Sequence, residues 1–126
     1  MAHSSLLERL DALNIRFEEI GKLITDPAVI ADMKRYVKLN KEYRDLEKID
    51  IARREYKQLL ATIDEAKDIL ENENDSELRE IAKEEMDAAN ERMPKLEEEI
   101  KFLLVPADPQ DSKNAMEAFQ NQYGLL

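Results

Sequence analysis

Residues 6–24, which read LLERLDALNIRFEEIGKLI, carry the pattern that decides the fold class. Their large apolar side chains recur at alternating intervals of four and three: Leu6, Leu10, Leu13, Phe17, Ile20 and Ile24. This spacing places them on one face of an α-helix, where they form an apolar seam. A second seam comprises Ala82, Met86, Ala89, Met93, Leu96, Ile100 and Leu103. Because no stretch alternates with the period of two typical of strands, the sequence predicts an all-α protein.

Capping signals mark the ends of the first predicted helix. Ser5 and Glu8 have the spacing of a capping box, so we expect this helix over residues 5–24. Asp26 then suits the N-cap of a second helix. Pro27 suits its first position, because the amide that proline lacks has no partner there in any case.

A polar stretch at residues 71–75 separates the second rod from the last helix. Asp75 or Ser76 is expected to cap that helix, which should end near Leu104. Pro94 lies inside it and removes a hydrogen bond, which predicts a kink unless the helix starts anew there. Short connections make neighbouring helices antiparallel, so we predict an elongated antiparallel bundle of three long rods.

The second rod has two apolar stretches whose relation is open. The first comprises Val29, Met33, Tyr36, Tyr43 and Leu46. The second comprises Tyr56, Leu59, Ile63, Ala66 and Leu70. Around residues 48–51 the helical phase is ambiguous, so the rod is either kinked or split in two there. We favour a near-continuous path, because no glycine or proline forces a stop.

The sequence divides into a helical domain and a tail. Residues 1–104 are predicted to form the helical bundle domain, and residues 105–126 a linker followed by a short C-terminal tail. Two prolines within residues 105–111 favour an extended linker over a helix. The tail has the pattern of a short helix with Met116 and Phe119 on one side.

Composition and charge argue against several functional classes. The chain of 126 residues has a formal net charge of −10, which disfavours broad nucleic-acid binding because phosphates repel such a surface. It contains no cysteine, which excludes disulfides and thiolate chemistry. No apolar run approaches the roughly 20 residues of a membrane-spanning helix. These features predict a cytoplasmic protein without a membrane partner.

Two stretches carry a family resemblance. Residues 23–43 read LITDPAVIADMKRYVKLNKEY, and residues 103–115 read LLVPADPQDSKNA. Both resemble the N-terminal helical domain of bacterial release factor 1, a class I peptide chain release factor, and they lie at the separation expected for that domain. The family usually has lysine at the position of Ala107. The resemblance covers residues 5 to 115, and the sequence from Met116 onward departs from the family.

The resemblance implies a docking role in translation termination. In intact release factors this domain packs beside the large-subunit stalk base of the ribosome and helps communicate with the class II release-factor GTPase. The catalytic Gly-Gly-Gln loop and the codon-reading tripeptide belong to later parts of the family's sequence. The two glycines of this chain, Gly21 and Gly124, lie near opposite ends, so no Gly-Gly-Gln is present. We therefore predict no enzyme activity, no catalytic residue, no cofactor and no metal.

A row of cations is the strongest candidate for a partner-binding site. It recurs at helical spacing opposite the apolar face of the second rod and comprises Lys34, Lys38, Lys41, Arg44 and Lys48. We name these five residues the basic stripe. One interpretation is that it meets ribosomal RNA or an acidic partner surface. The other is that it is an ordinary solvated face in which Glu42 and Asp45 are interspersed.

Other candidate sites favour structural interpretations. Neighbouring glutamates such as Glu18 and Glu19 point about 100° apart on a helix, so they do not converge on a metal or a substrate. The single histidine, His3, has no partner for a zinc site. The tyrosines Tyr36, Tyr43 and Tyr56 match the seams, so core packing is favoured over stacking on nucleic-acid bases. Core packing is likewise favoured over an adaptable binding groove for Met33, Met86 and Met93.

Three functions compete on the sequence alone. The first is a docking domain in translation termination. The alternative is a coiled-coil interaction module that self-associates through its seams and has no ribosomal role. A third is a tRNA-binding helical arm, which needs a basic rod and is disfavoured by the charge of −10.

Overall fold

Four helices make up the part of the chain that the structure, a computed structural model, describes, which is residues 2–105. They are α1 (Ala2–Leu23), α2 (Pro27–Ala31), α3 (Met33–Asn72) and α4 (Ser76–Leu104). Residues 2–105 contain no strand, which confirms the predicted all-α class. None of these four helices is long and apolar enough to cross a membrane.

The 40-residue helix α3 organises the fold. At 1.5 Å per residue it is about 60 Å long. Helices α1 and α4 both pack against it, and α2 packs against its beginning. Within residues 2–105, α1 and α4 make at most slight direct contact with each other. The predicted antiparallel bundle is confirmed, with α3 as the rod that both other long helices share.

The second rod breaks at Asp32 and not near Lys48. Asp32 has an extended backbone (φ −97°, ψ 93°) that ends α2, and its side chain accepts a hydrogen bond from the amide of Arg35 at the start of α3. From Met33 the helix then runs unbroken to Asn72. The near-continuous path that we favoured is therefore confirmed, except for one short helix at its beginning.

The ambiguous phase near residues 48–51 has a physical cause. Asp50 is buried and accepts a hydrogen bond from Asn14 of α1. Tyr56 is buried on a different side of α3, where its hydroxyl lies 3.2 Å from Glu97 of α4. In this region α3 is therefore covered from two directions, so its buried residues do not follow a single seam.

Two of the three capping predictions are confirmed. Asp26 accepts from the amide of Ala28 at 2.9 Å, with Pro27 in the first helical position. Asp75 accepts from the amide of Glu77 at 2.9 Å. The capping box at Ser5 is wrong, because α1 begins at Ala2 and Ser5 lies inside it. No proline or glycine before Ser5 breaks the helix, so it extends about one turn further than predicted.

Helix α4 continues through Pro94 and ends at Leu104, as predicted. It does not start anew at the proline, and the kink stays a prediction. The linker and tail predicted for residues 105–126, including Met116 and Phe119, lie outside the described residues from position 106 onward.

The core joins the seams of the three long helices. Its buried members include Leu10, Ile20, Val29, Leu46, Tyr56, Met93, Leu96 and Ile100. Tyr36 and Tyr43 are half-buried against it, and Tyr43 stacks on Phe17 with ring centroids 4.8 Å apart. Core packing of the tyrosines and of Met93 is confirmed. Met33 is an exception: its side chain is 65% exposed, because it begins α3 just after the break at Asp32.

Candidate partner-binding surface

The basic stripe occupies the first half of α3. Lys34, Lys38 and Lys41 follow one another at intervals of four and three, which places them on one face of the helix. Arg44 and Lys48 extend the same side by two further turns. All five side chains are exposed, while Leu39 and Leu46 on the other side of α3 are buried. The helix therefore separates the stripe from the core.

Only one member of the stripe forms an ion pair with a residue in the range 2–105. The Nζ of Lys41 lies 3.7 Å from Oδ2 of Asp45, and both side chains are more than half exposed. Water screens such a pair, so it contributes between nothing and about 1 kcal/mol. No carboxylate of the described residues lies within ion-pair distance of the other four cations. Binding of a partner by these exposed cations stays a prediction.

Glu42 does not neutralise the stripe. Its carboxylate accepts two hydrogen bonds from Arg16 of α1, at 2.9 and 3.0 Å. The hydrogen bonds from Arg16 lower the pKa of Glu42, and the charge of Arg16 acts in the same direction. Of the two acidic residues expected to be interspersed with the cations, only Asp45 lies among them.

Several arginines outside the stripe have structural roles. Arg92 of α4 forms a two-bonded pair with Glu55 of α3, at 2.7 and 3.0 Å. Arg53 bonds Asp11 of α1 at 2.8 Å, and Arg16 holds Glu42 as described. These pairs join α1 and α4 to α3, and the two-bonded pairs of Arg16 and Arg92 add geometric specificity to those contacts. Within residues 2–105, no cation of the stripe forms a comparable ion pair with another helix.

A buried carboxylate joins α1 to α3, and sequence reasoning missed it. Asp50 is 4% exposed and accepts hydrogen bonds from Asn14, Arg53 and Arg54. Burial alone would raise the pKa of Asp50, but the bonds from Arg54 and Asn14 and the charges of Arg54 and Arg53 outweigh it, so the pKa is lowered. The sequence did contain a signal for this cluster, because Arg53 and Arg54 follow Asp50 by three and four residues, the spacing at which helical side chains can form ion pairs.

Exposed apolar side chains accompany the basic stripe. Met33, Val37 and Ile51 are 65%, 59% and 58% exposed, and we name these three residues the apolar row. Val37 shares a shallow surface depression with Lys34, Lys38, Lys41, Arg35 and Asp32. Sequence reasoning missed this row, because it assigned Met33 to the core. The sequence contains one signal for this row: Val37 and Ile51 are fourteen residues apart, with Arg44 halfway, so all three lie at nearly the same angle on the helix.

The acidic residues in the part of the chain that the structure describes form no comparable site. Within residues 2–105, no group of three or more histidine, aspartate or glutamate side chains is placed to hold a metal ion. Glu18 and Glu19 are both exposed on α1. The basic stripe therefore stays the candidate partner-binding surface.

Comparison with known proteins identifies the family. The PCRF domain family matches residues 13–124, nearly the whole chain. The chain belongs to the PCRF domain family. This PCRF domain match extends beyond residue 115, where the resemblance identified from the sequence ends. The search of solved structures found no match.

Curated relatives of this PCRF domain chain carry the name peptide chain release factor 1. The one from Parabacteroides distasonis is 70% identical over 116 residues, which are 92% of this chain and 31% of the relative. The one from Bacteroides fragilis is 68% identical over 114 residues, 90% of this chain and 31% of the relative. The one from Flavobacterium johnsoniae is 49% identical over 111 residues, which are 88% of this chain and 31% of the relative. The resemblance to release factor 1 is confirmed, and the chain spans under a third of these relatives' length.

Proposed function

We propose that this chain acts in translation termination as the ribosome-docking domain of a peptide chain release factor. The observation that carries the proposal is the match to release factor 1, at 70% identity over 92% of the chain. The proposed site of action is the cytoplasmic ribosome, beside the large-subunit stalk base. The class II release-factor GTPase is the proposed second partner.

Docking is the proposed contribution, and peptidyl-tRNA hydrolysis belongs to another part of a release factor. The sequence has two isolated glycines and so contains no Gly-Gly-Gln. A rod of packed helices with an exposed charged face provides a rigid surface for recognition. We accordingly expect the chain to release no peptide when it is added to purified termination complexes. Release above the level of a buffer control would contradict this part of the proposal.

The basic stripe is the proposed ribosome-facing surface. Ribosomes present many anionic groups, and complementary charge steers association and fixes orientation more than it adds affinity. Because the stripe is exposed, dissolved salt screens its attraction for anionic groups. At physiological ionic strength this attraction is largely screened beyond a Debye length of about 8 Å. The remaining surface is acidic, so the stripe also determines which side of the domain approaches the ribosome.

Cosedimentation with purified ribosomes tests this surface. The triple variant Lys34→Glu, Lys38→Glu and Lys41→Glu is compared with the unmodified chain at low and physiological salt. If each lost contact contributes about 0.5–1 kcal/mol, the three together contribute about 1.5–3 kcal/mol, and affinity should fall by about 10- to 150-fold. A salt-dependent loss is expected, because exposed charges are screened.

A matched control variant keeps the change in net charge the same. It carries glutamate at three other exposed lysines, Lys57, Lys67 and Lys83, which lie outside the stripe. We expect it to bind ribosomes nearly as well as the unmodified chain. Equal losses in both variants would show that only net charge matters, and unchanged binding of the stripe variant at low salt would exclude the stripe as the docking surface.

The self-association alternative loses its main support from the packing. The seams that would mediate a coiled coil are occupied within one chain, because Leu10 and Ile20 of α1 and Leu96 and Ile100 of α4 are fully or almost fully buried. Analytical ultracentrifugation separates the two functions. A monomer at high concentration is expected for the docking domain, and a stable dimer would favour the alternative.

A further inference from the structure

The apolar row and the basic stripe run side by side along α3. Val37 is preceded by Lys34, followed by Lys38 and Lys41, and shares one depression with all three. Met33 lies one turn before Val37, so the helical repeat places both on the same side. Arg44 and Ile51 follow Val37 at intervals of seven, which returns each to nearly the same angle. Arg44 therefore lies in line with the apolar row, between Val37 and Ile51, and the lysines of the basic stripe run beside that row.

We propose that this face of α3 binds an acidic amphipathic helix of a partner protein. The apolar residues of that helix contact Met33, Val37 and Ile51, and its carboxylates lie against the basic stripe. From Met33 to Ile51 the face is about 27 Å long, which matches a partner helix of about five turns. This inference rests on the proposed docking function and names the chemical class of the partner at the same site.

Exposed apolar residues favour a protein partner over RNA. Duplex RNA is bound mainly through phosphates and hydroxyls, which gain nothing from three aliphatic side chains that are more than half exposed. An amphipathic helix can contact both the apolar row and the basic stripe, because its apolar anchors recur at intervals of three and four with charged residues beside them. The acidic remainder of the chain repels RNA, whereas a partner helix of about five turns covers only the face from Met33 to Ile51.

Charge also disfavours a second copy of this chain. Two copies joined through the same face would bring their basic stripes together. Only Asp45 among the described residues neutralises part of each stripe. Like charges placed opposite each other in an interface are unfavourable, so a symmetric pair needs compensation that this face does not provide.

Fluorescence anisotropy with a defined probe tests the proposal on the 126-residue chain. The probe is a labelled 20-residue helical peptide with leucine at intervals of three and four and glutamate on the flanking positions. A labelled RNA duplex of similar length is the second probe. We expect saturable peptide binding that weakens with salt, and no comparable binding of the duplex. Preference for the duplex would overturn the proposal in favour of RNA.

Single charge insertions separate the apolar contact from plain electrostatics. Val37→Glu places a carboxylate within the apolar row and should weaken peptide binding at least tenfold. Ile15→Glu is the matched control, because Ile15 is 69% exposed, belongs to α1 and does not line the depression at the stripe. It should leave binding within about twofold. Equal effects of both variants, with unchanged helicity by circular dichroism, would overturn the proposal.

Ribosome cosedimentation of the same variants tests the docking function separately from the binding of an acidic helix. If the chain binds ribosomes through the stripe but Val37→Glu binds equally well and the peptide does not bind, the acidic-helix inference is wrong and the docking function stands. If no variant changes ribosome binding, the docking surface itself is wrong. A dimer in analytical ultracentrifugation that Val37→Glu dissociates would assign the face to a second copy, which overturns the inference as well.

Discussion

Replacing Asp50 by alanine should destabilise the fold more than replacing any exposed aspartate. Its carboxylate accepts from Asn14 at 2.7 Å, from Arg53 at 3.3 Å, and from two nitrogens of Arg54 at 3.0 and 2.9 Å. Removing one partner of a buried charged cluster costs about 3–5 kcal/mol when the other partners stay buried. Asp50 is thus the most informative single position at the interface between α1 and α3.

The surroundings place the expected loss near the lower end of that range. Arg54 is 67% exposed, so water can replace its bonds to the carboxylate. Arg53 keeps its bond to Asp11 at 2.8 Å. Asn14 loses a charged acceptor, and hydrogen bonds to charged groups contribute about 1.5–3 kcal/mol each. We therefore expect Asp50→Ala to lower the free energy of unfolding by about 3 kcal/mol.

Urea denaturation followed by circular dichroism measures this loss against a matched control. Asp45→Ala makes the same substitution in α3 at an exposed position with one weak ion pair. Both variants share the gain in helix propensity, so their difference isolates the buried network. The control should lose less than about 1 kcal/mol. Equal stabilities of the two variants would refute the structural role given to Asp50.

The same position makes a signed prediction about pH. Because the folded-state pKa of Asp50 is lowered, its ionised form stabilises the fold above the unfolded pKa of about 3.9. That contribution is lost as the pH falls through the lower folded-state value. The stability difference between the unmodified chain and Asp50→Asn should therefore be constant near neutral pH and shrink in acid. A difference that grows in acid would contradict the sign of the shift.

Two further substitutions test local features of the helices by the same denaturation assay. Gly21→Ala should stabilise the chain by about 0.5–1 kcal/mol through helix propensity, because a Cβ at this position would lie 3.4 Å from Cε1 of Tyr43, an ordinary contact. A net loss would mean that the Tyr43 ring cannot accept that contact. Asp75→Ala should cost about 1 kcal/mol by removing the N-cap of α4, while Asp75→Asn should restore most of it. Equal stability of these two variants would show that the cap contributes nothing.

Sequence patterns predicted the helices where one side of a helix is buried. The seams of α1 and α4 each pack in one direction, so their alternating spacing gave the correct face. The caps Asp26 and Asp75 depend on local chemistry and were also predictable. In the middle of α3 the pattern failed, because Asp50 and Tyr56 are buried by different helices. Periodicity within one segment cannot identify two partners that lie elsewhere in the chain.

For the candidate site, charge was easier to predict than the neighbouring apolar surface. Five cations at helical spacing identified the exposed side of α3 directly. Met33 shares the helical repeat of core residues such as Tyr36, but the break at Asp32 exposes it. Aliphatic side chains occur on both buried and exposed faces, so only the packing of α1 and α4 shows that Val37 and Ile51 remain uncovered.

The position of α3 between two helices that barely touch has a consequence for synthesis. The extensive contacts join α1 to α3 and α3 to α4, helices that follow one another closely in the chain. The connecting segments that must be closed as the fold forms are therefore short. Such local topology permits fast folding. The pairing of α1 with α3 also uses only residues that are translated before α4. The N-terminal hairpin can therefore form cotranslationally and offer a finished template on which α4 docks last.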